Sequence, residues 1–156
     1  MLKSSPPLPA KRAFVEHLKH TFREMDAVNR RCGTHWKSFD ELLPADLSAN
    51  RATLKPEIGK FVEKTSRLFY GAWRKAIDRH DPGRLLLGSC FVIGWQAQSE
   101  WIQGSVPACD AMMLDWYEKD VPKLLKDYVE RFAVPADRPV LIGEIGFTTP
   151  HDGFNR

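Results

Sequence analysis

The sequence predicts an α/β protein in which parallel strands alternate with helices. Three short, largely apolar runs, 85–88, 110–115 and 140–144, have the length and composition of buried strands. Long amphipathic segments come before the first run and between the second and the third. Elements in this order form parallel βα units with right-handed crossovers. We therefore expect the three strands to lie side by side in sequence order, with helices on one side.

Two long helices are predicted in the first half of the chain. An apolar spacing of three to four residues runs from Lys11 to Arg31 and stops at Gly33, which indicates one helix. The segment Pro56 to His80 predicts a second helix, whose expected buried face is formed by Phe61, Thr65, Leu68, Phe69, Ala72, Trp73, Ala76 and Ile77. Residues 1–10 contain three prolines and should be an extended lead-in.

The third helix should connect the last two strands. Asp120 can act as its N-cap, and Pro122 falls in its first turn, where proline is tolerated. Pro135 is expected to end it, since proline removes a backbone donor. The apolar face of this helix is formed by Leu124, Leu125, Tyr128, Val129 and Phe132. Residues 11–156 are therefore predicted to form one domain.

Composition narrows the functional classes. The 156 residues are 43% hydrophobic and 28% charged, which is typical of a globular domain. The net charge of +3 is dispersed, and no basic run interleaved with aromatic residues indicates nucleic-acid binding. No apolar segment is long enough to predict a membrane span. The three cysteines lie far apart, so we expect neither a disulfide framework nor a metal site, and no glycine-rich phosphate loop predicts a nucleotide cofactor.

A carboxylate stands where the last predicted strand should end. Glu144 follows the apolar run Val140–Ile142 and is flanked by Gly143 and Gly146. The run predicts a strand buried on both faces, and functional groups collect at the carboxyl ends of parallel strands. Glu144 is therefore a candidate catalytic residue. The alternative is a solvated carboxylate in a turn.

The segment 89–104 is predicted to be a loop with one helical turn. It carries Trp95, Gln96, Gln98 and Trp101. Aromatic and amide side chains of this kind suit a sugar-binding edge. The same residues also suit a loop that packs its two indoles on its own strand.

Several segments together resemble a known enzyme clan. The pieces 76–88, 109–117 and 139–147 resemble the fifth, sixth and seventh strands of the retaining (β/α)8 glycoside hydrolases that include beta-galactosidases and beta-agarases. The piece 25–39 resembles the helix-and-turn insertion after the fourth strand of those enzymes. The resemblance implies a partial (β/α)8 barrel and hydrolysis of β-linked glycans.

The resemblance also implies roles for individual residues. Glu144 matches the nucleophile at the tip of the seventh strand, and Tyr117 matches the aromatic residue that donates a hydrogen bond to it. The neighbouring positions expected to bind an oligo- or polysaccharide substrate are Asp115, Trp116, Trp95 and Phe147. Asp115 stands where the clan usually has Asn or His, and Ser89-Cys90 stands where Arg is often found.

One element of the clan is absent from the sequence. Its acid/base lies in an Asn-Glu pair at the end of the fourth strand, and no Asn-Glu pair occurs here. Strands one to four and eight also have no counterpart, so we expect the chain to be a piece of a barrel, with the acid/base outside it. A non-catalytic remnant that binds carbohydrate, or a partner through open sheet edges, is the alternative. An unrelated α/β protein is a third reading, and the compartment is left open.

Overall fold

The computed structural model of the protein describes residues 2, 8–88, 91–92, 99–116 and 121–146. They form two compact units, Met1–Phe61 and Val62–Arg156. The helices are α1 (Pro9–Phe22), α2 (Met25–Cys32), α3 (Lys55–His80), α4 (Ser99–Ser105) and α5 (Val121–Tyr128). Short 3₁₀ turns occupy Phe39–Leu42, Ser48–Asn50 and Val106–Ala108. The strands are β1 (Phe91–Val92), β2 (Met112–Trp116) and β3 (Val140–Ile145).

The first predicted helix is two helices. The chain breaks between α1 and α2 at Arg23, whose φ of 61° is incompatible with a right-handed helix. The amide of Arg23 donates to the carbonyl of Lys19 and closes the last turn of α1. No glycine or proline marks the break, so the apolar spacing alone predicted a continuous helix. Gly33 ends α2 in the left-handed conformation, as predicted.

The first unit has its own apolar core. Phe14, Leu18, Leu42 and Leu54 are fully or almost fully buried in it, and Phe61 at the end of the unit packs edge-on against Phe14. A buried lysine, Lys11, donates its ammonium to the carbonyl of Ala45, which satisfies one polar group inside the core. α1 and the irregular segment after α2 are thereby held together.

Helix α3 has the predicted length but not the predicted buried face. Leu68, Phe69 and Trp73 are between 44% and 66% exposed, whereas Ser66 and Tyr70 are buried. Ser66 donates its hydroxyl to the carbonyl of Trp101, so a small polar residue lies where α4 approaches most closely. Apolar spacing predicts which residues share a face, but not which of two adjacent faces meets a neighbouring helix.

The three strands form one parallel sheet in the order β1-β2-β3, which confirms the predicted order and direction. Helices pack on one side: Tyr70, Ile102, Tyr128 and Phe132 share a buried cluster with Met112 and Leu114 of β2. The first strand begins later than predicted. Residues 85–88 are irregular, and Gly88 turns the chain with a φ of 79° before Phe91 pairs with Leu114.

The last helix continues past the proline expected to end it. Residues Val129–Ala133 form a π-helical turn, and Val134–Ala136 add a further helical turn that contains Pro135. Pro135 lies in the first turn of this last segment, where a residue without an amide hydrogen is tolerated. The chain leaves the helix at Asp137, which has a left-handed φ of 51°.

Asp110 holds the segment before β1 against the start of β2. One of its carboxylate oxygens, Oδ2, accepts hydrogen bonds from the Leu86 amide and from Arg74 Nη1, both at 2.8 Å. The Asp110 amide donates to the Leu86 carbonyl at 2.8 Å. Because Leu86 is buried, removal of this acceptor would leave its amide unpaired.

Asp110→Ala is expected to lower the free energy of unfolding by about 1–3 kcal/mol, the cost of an unsatisfied buried donor. Asp110→Asn keeps one acceptor oxygen and should lose less. Asp78→Ala is the matched control, since Asp78 also pairs with Arg74 but is 60% exposed, and should cost about 0–1 kcal/mol. Urea denaturation of the three variants measures these differences, and equal losses at Asp110 and Asp78 would contradict this role.

Cys109 is a buried thiol in the same cluster as Tyr70, Ile102 and Met112. Burial raises its pKa to about 11 from 9.0, against the opposing effect of a hydrogen bond with Ser105. At pH 8 its thiolate population is therefore about 100-fold below that of a free thiol, since each pKa unit is a factor of ten. We expect Cys109 to be alkylated by iodoacetamide at least about 100-fold more slowly than a model thiol at pH 8. Peptide mass mapping with and without denaturant measures this, and equal rates in the folded and unfolded chain would contradict it.

Candidate functional site

The hydrogen-bonded pairing between β2 and β3 is irregular beside Glu144. Met113 pairs with Leu141 and Leu114 with Ile142, but Asp115 then pairs with Glu144 rather than with Gly143. Gly143 is therefore an extra residue in β3, which is the definition of a β-bulge. The ladder resumes with Trp116 opposite Ile145, and the Gly146 amide donates to the Trp116 carbonyl at 3.0 Å.

The pairing places Asp115 and Glu144 on one face of the sheet. Successive side chains of a strand point to opposite faces, and directly paired residues of neighbouring strands share a face. Met112 and Leu114 face the helices, so Met113 and Asp115 face the other way. Two carboxylates thus lie beside each other on adjacent strands, on the face opposite the helices.

Asp115 is buried on the sheet face opposite that of Met112 and Leu114. Its exposed fraction is 6%, and its Oδ1 atom has no hydrogen-bond partner among the residues that the structure describes. An unpaired buried acceptor costs about 1–3 kcal/mol, and more when it is charged. A donor that reaches Oδ1 would recover that cost.

Gly143 lies directly against this carboxylate. A Cβ atom at position 143 would come within 2.9 Å of both Cγ and Sδ of Met113 and within 3.3 Å of Asp115 Oδ1. Glycine here allows the close approach of the Met113 and Asp115 side chains, and no unusual backbone angle calls for it. The sequence indicated a special backbone position beside Glu144, but a bulge leaves no signature in the apolar run itself.

The expectation that β3 is buried on both faces is wrong. Leu141, Ile142 and Ile145 are 43%, 46% and 62% exposed, and Glu144 is exposed. Within the described residues β3 pairs only with β2, so it is an edge strand and lacks the neighbour that would cover it. The apolar composition predicts burial that this chain does not itself supply.

The other aromatic residues predicted for the site do not lie together with Asp115 and Glu144 in the described part of the chain. Trp116 is 1% exposed, and strand alternation places it on the helix-facing side, so its indole offers no open ring face to a sugar. Trp101, a residue of the predicted sugar-binding loop, contacts the rings of Phe69 and Tyr70. Tyr117, Trp95 and Phe147 lie outside the described residues, so their roles stay predictions.

Comparison with known proteins gives beta-agarases as relatives of this chain. The chain is 28% identical over 151 residues to Beta-agarase B of Vibrio sp. (strain JT0107), a match that covers 94% of this chain and 15% of that protein. Among solved structures, an exo-beta-agarase matches 92% of the chain with a TM-score of 0.77 at 24% identity, over 19% of its own length. The chain resembles one segment of a beta-agarase. The predicted resemblance is thus confirmed.

Two further structures agree. The agarase AgWH50C matches 94% of the chain with a TM-score of 0.78 at 21% identity, and PfGH50B matches 88% with a TM-score of 0.75 at 17% identity. The chain spans about a fifth or less of the length of each of these beta-agarase relatives and structural neighbours. No protein-family model matches the sequence.

Two features are absent from the part of the chain that the structure describes. Among residues 8–88, 99–116 and the other described positions, no three His, Cys, Asp or Glu side chains come together as a metal site. Within the same part of the chain, no helix combines the length and the apolar character needed to span a bilayer.

Proposed function

We propose that this chain forms part of a retaining glycoside hydrolase that cleaves β-linked galactan chains of the agar type, with Glu144 as the nucleophile. The observation that carries the proposal is the pairing of Asp115 with Glu144 on the sheet face opposite the helices. The similarity to beta-agarases over 94% of the chain supports the substrate class.

The parallel sheet supports a place in a (β/α)8 barrel. In such a barrel the helices cover the outside, and active-site residues lie at the carboxyl ends of the strands. Here the helices pack on one sheet face, and Asp115 and Glu144 lie near the carboxyl ends of β2 and β3 on the other. We propose that β1, β2 and β3 are the fifth, sixth and seventh strands of that barrel.

The exposed edge of β3 fits the same proposal. An eighth strand pairing with β3 would cover the apolar side chains that the edge leaves exposed, Leu141, Ile142 and Ile145. The inner face would then enclose Glu144, which is exposed in this chain. Tyr117, one residue beyond β2, is proposed to donate a hydrogen bond to Glu144 and fix its orientation.

In the proposed mechanism Glu144 attacks the anomeric carbon and forms a covalent glycosyl-enzyme, which water then hydrolyses. The leaving oxygen must be protonated in the first step by a second carboxyl about 5–5.5 Å from the nucleophile. We propose that this acid/base lies outside the chain, on a strand across the barrel. Asp115 accepts hydrogen bonds from hydroxyl groups of the sugar.

A mechanism-based label tests the nucleophile without the missing acid. In a 2-deoxy-2-fluoro-β-galactosyl fluoride, fluoride leaves without general acid assistance, and the fluorine at C2 slows the second step. We expect the purified chain to acquire one fluorogalactosyl group on the peptide that contains Glu144, detected by mass spectrometry. Glu144→Gln should acquire none.

Exposed carboxylates elsewhere provide the matched control. Glu130 is exposed, lies outside the sheet and should be unlabelled, and Glu130→Gln should leave labelling at Glu144 unchanged. A label on several carboxylates would indicate nonspecific alkylation. Binding of agaro-oligosaccharides without any covalent label would overturn the nucleophile and favour the alternative of a non-catalytic carbohydrate-binding domain.

A further inference from the structure

We propose that Gly143 is a positioning residue of this site. As the extra residue of the bulge it turns Glu144 onto the face of Asp115, and through its missing side chain it leaves the space that the Asp115 carboxylate occupies. The identification of the ligand as a sugar rests on the proposed function above, whereas the geometric role of Gly143 is independent of it.

The facing of Glu144 depends on the bulge. In a regular ladder that continued from the Leu114–Ile142 pair, Asp115 would lie opposite Gly143, and Trp116 opposite Glu144. Glu144 would then share the helix-facing side with the buried Trp116. A shift of one residue moves a side chain to the other face of a sheet. The extra residue therefore decides whether Glu144 points to the core or to the strand-end site.

The identity of the extra residue decides where the neighbouring carboxylate lies. An alanine Cβ at 143 would stand 3.3 Å from Asp115 Oδ1, which is tighter than nine in ten real Cβ contacts, and 2.9 Å from Met113 Cγ and Sδ. Met113 is half-buried with a flexible thioether, so it can move aside. The φ of Gly143 is not positive, so alanine adds no backbone strain. The chain should fold, with a displaced Asp115 carboxylate.

The displaced group is a buried acceptor. Asp115 Oδ1 has no partner among the described residues and lies within reach of the space over Gly143. Oδ1 has almost no accessible surface, and the Met113 side chain fills the space over position 143, so a ligand hydroxyl reaches Oδ1 there only when that thioether moves aside. The ligand class is a hydroxyl donor, here a sugar ring laid against the sheet face. Any side chain at 143 would compete with that hydroxyl.

The first experiment needs no sugar. Solvent-accessible carboxylates couple to glycine ethyl ester through a water-soluble carbodiimide, and peptide mass mapping measures the rate at each one. Asp115 should react slowly in the wild-type chain because it is buried. In Gly143→Ala its rate should rise several-fold. Gly71→Ala is the matched control, since nothing lies within 4 Å of a Cβ there, and it should leave the Asp115 rate unchanged.

A second background separates the two neighbours of position 143. Met113→Ala removes Cγ and Sδ, so an effect of Gly143→Ala that passes only through the thioether should disappear in the double variant. Persistence of the raised Asp115 rate supports the direct contact with the carboxylate. Disappearance, or an Asp115 rate in Gly143→Ala equal to wild type, overturns the positioning role.

The ligand is tested separately with agaro-oligosaccharides by NMR titration. Gly143→Ala and Asp115→Ala should each weaken binding about 10- to 100-fold, the loss of one charged hydrogen bond, and Gly71→Ala should not. No binding by wild type, with the carbodiimide result as expected, would overturn the proposed function while the role of Gly143 stands. Wild-type binding that Gly143→Ala leaves unchanged would overturn the inferred approach of the ligand over position 143.

Discussion

The purified chain is expected to release no measurable product from agaro-oligosaccharides. General acid assistance is typically worth about 10²–10⁴-fold, and a sugar leaving group needs it because an unprotonated alkoxide departs poorly. Within the proposed mechanism the acid/base lies outside the chain. The deficit should depend on the leaving group. 2,4-Dinitrophenyl β-galactoside, whose dinitrophenolate leaves without protonation, should react measurably faster than phenyl β-galactoside.

The two aryl galactosides are compared in a spectrophotometric assay with wild type and Glu144→Gln. Loss of the dinitrophenyl reaction in Glu144→Gln ties that reaction to the nucleophile. Efficient cleavage of agaro-oligosaccharides that disappears in Glu144→Gln would show that the chain is a complete enzyme. The acid would then have to be sought within the chain.

Alanine substitutions at two helical glycines are expected to change stability in opposite directions. Gly104 in α4 is buried, and a Cβ there would overlap the Glu63 carbonyl oxygen and lie 2.6 Å from Cβ of Ser66. Both neighbours belong to α3, and the backbone carbonyl cannot move aside alone. Gly104→Ala should therefore lower the free energy of unfolding by about 1–3 kcal/mol or more, as overpacking of a tight contact does.

Gly71 in α3 is the control for the same chemical change. A Cβ there meets nothing within 4 Å, so Gly71→Ala gains only helix propensity and should raise stability by about 0.5–1 kcal/mol. Urea denaturation followed by circular dichroism measures both variants. Changes of the same sign would show that α4 does not approach α3 as closely as the structure indicates.

The sequence predicted the bounds of the long helix α3 better than it predicted which side of that helix is buried. α3 begins one residue earlier than expected and ends at His80, because a long amphipathic stripe and a following Asp-Pro-Gly turn are strong local signals. The exposure of Leu68 and the burial of Ser66 depend on how closely α4 approaches, which no local signal records. The break at Arg23 was not predicted either, because neither glycine nor proline marks it in the sequence.

The candidate site was also predictable only where local signals in the sequence mark it. Glu144 was located by two ordinary signals, a strand end and flanking glycines, and Asp115 and Trp116 by the resemblance. The bulge at Gly143 was not predictable, because an extra strand residue changes neither composition nor spacing. It reverses the facing of every later residue in the strand.

The apolar edge strand affects the choice of variants. Between Pro139 and Pro150 the only charged side chain is Glu144. A short β-prone segment without charge is a typical start of intermolecular sheet growth, and a single charge often acts as the gatekeeper against it. Glu144→Gln removes that charge and should favour aggregation. Loss of labelling in this variant should therefore be measured on protein that is shown to be monomeric. Glu144→Asp keeps the gatekeeper and withdraws the carboxylate by one methylene, which makes it the better soluble stand-in.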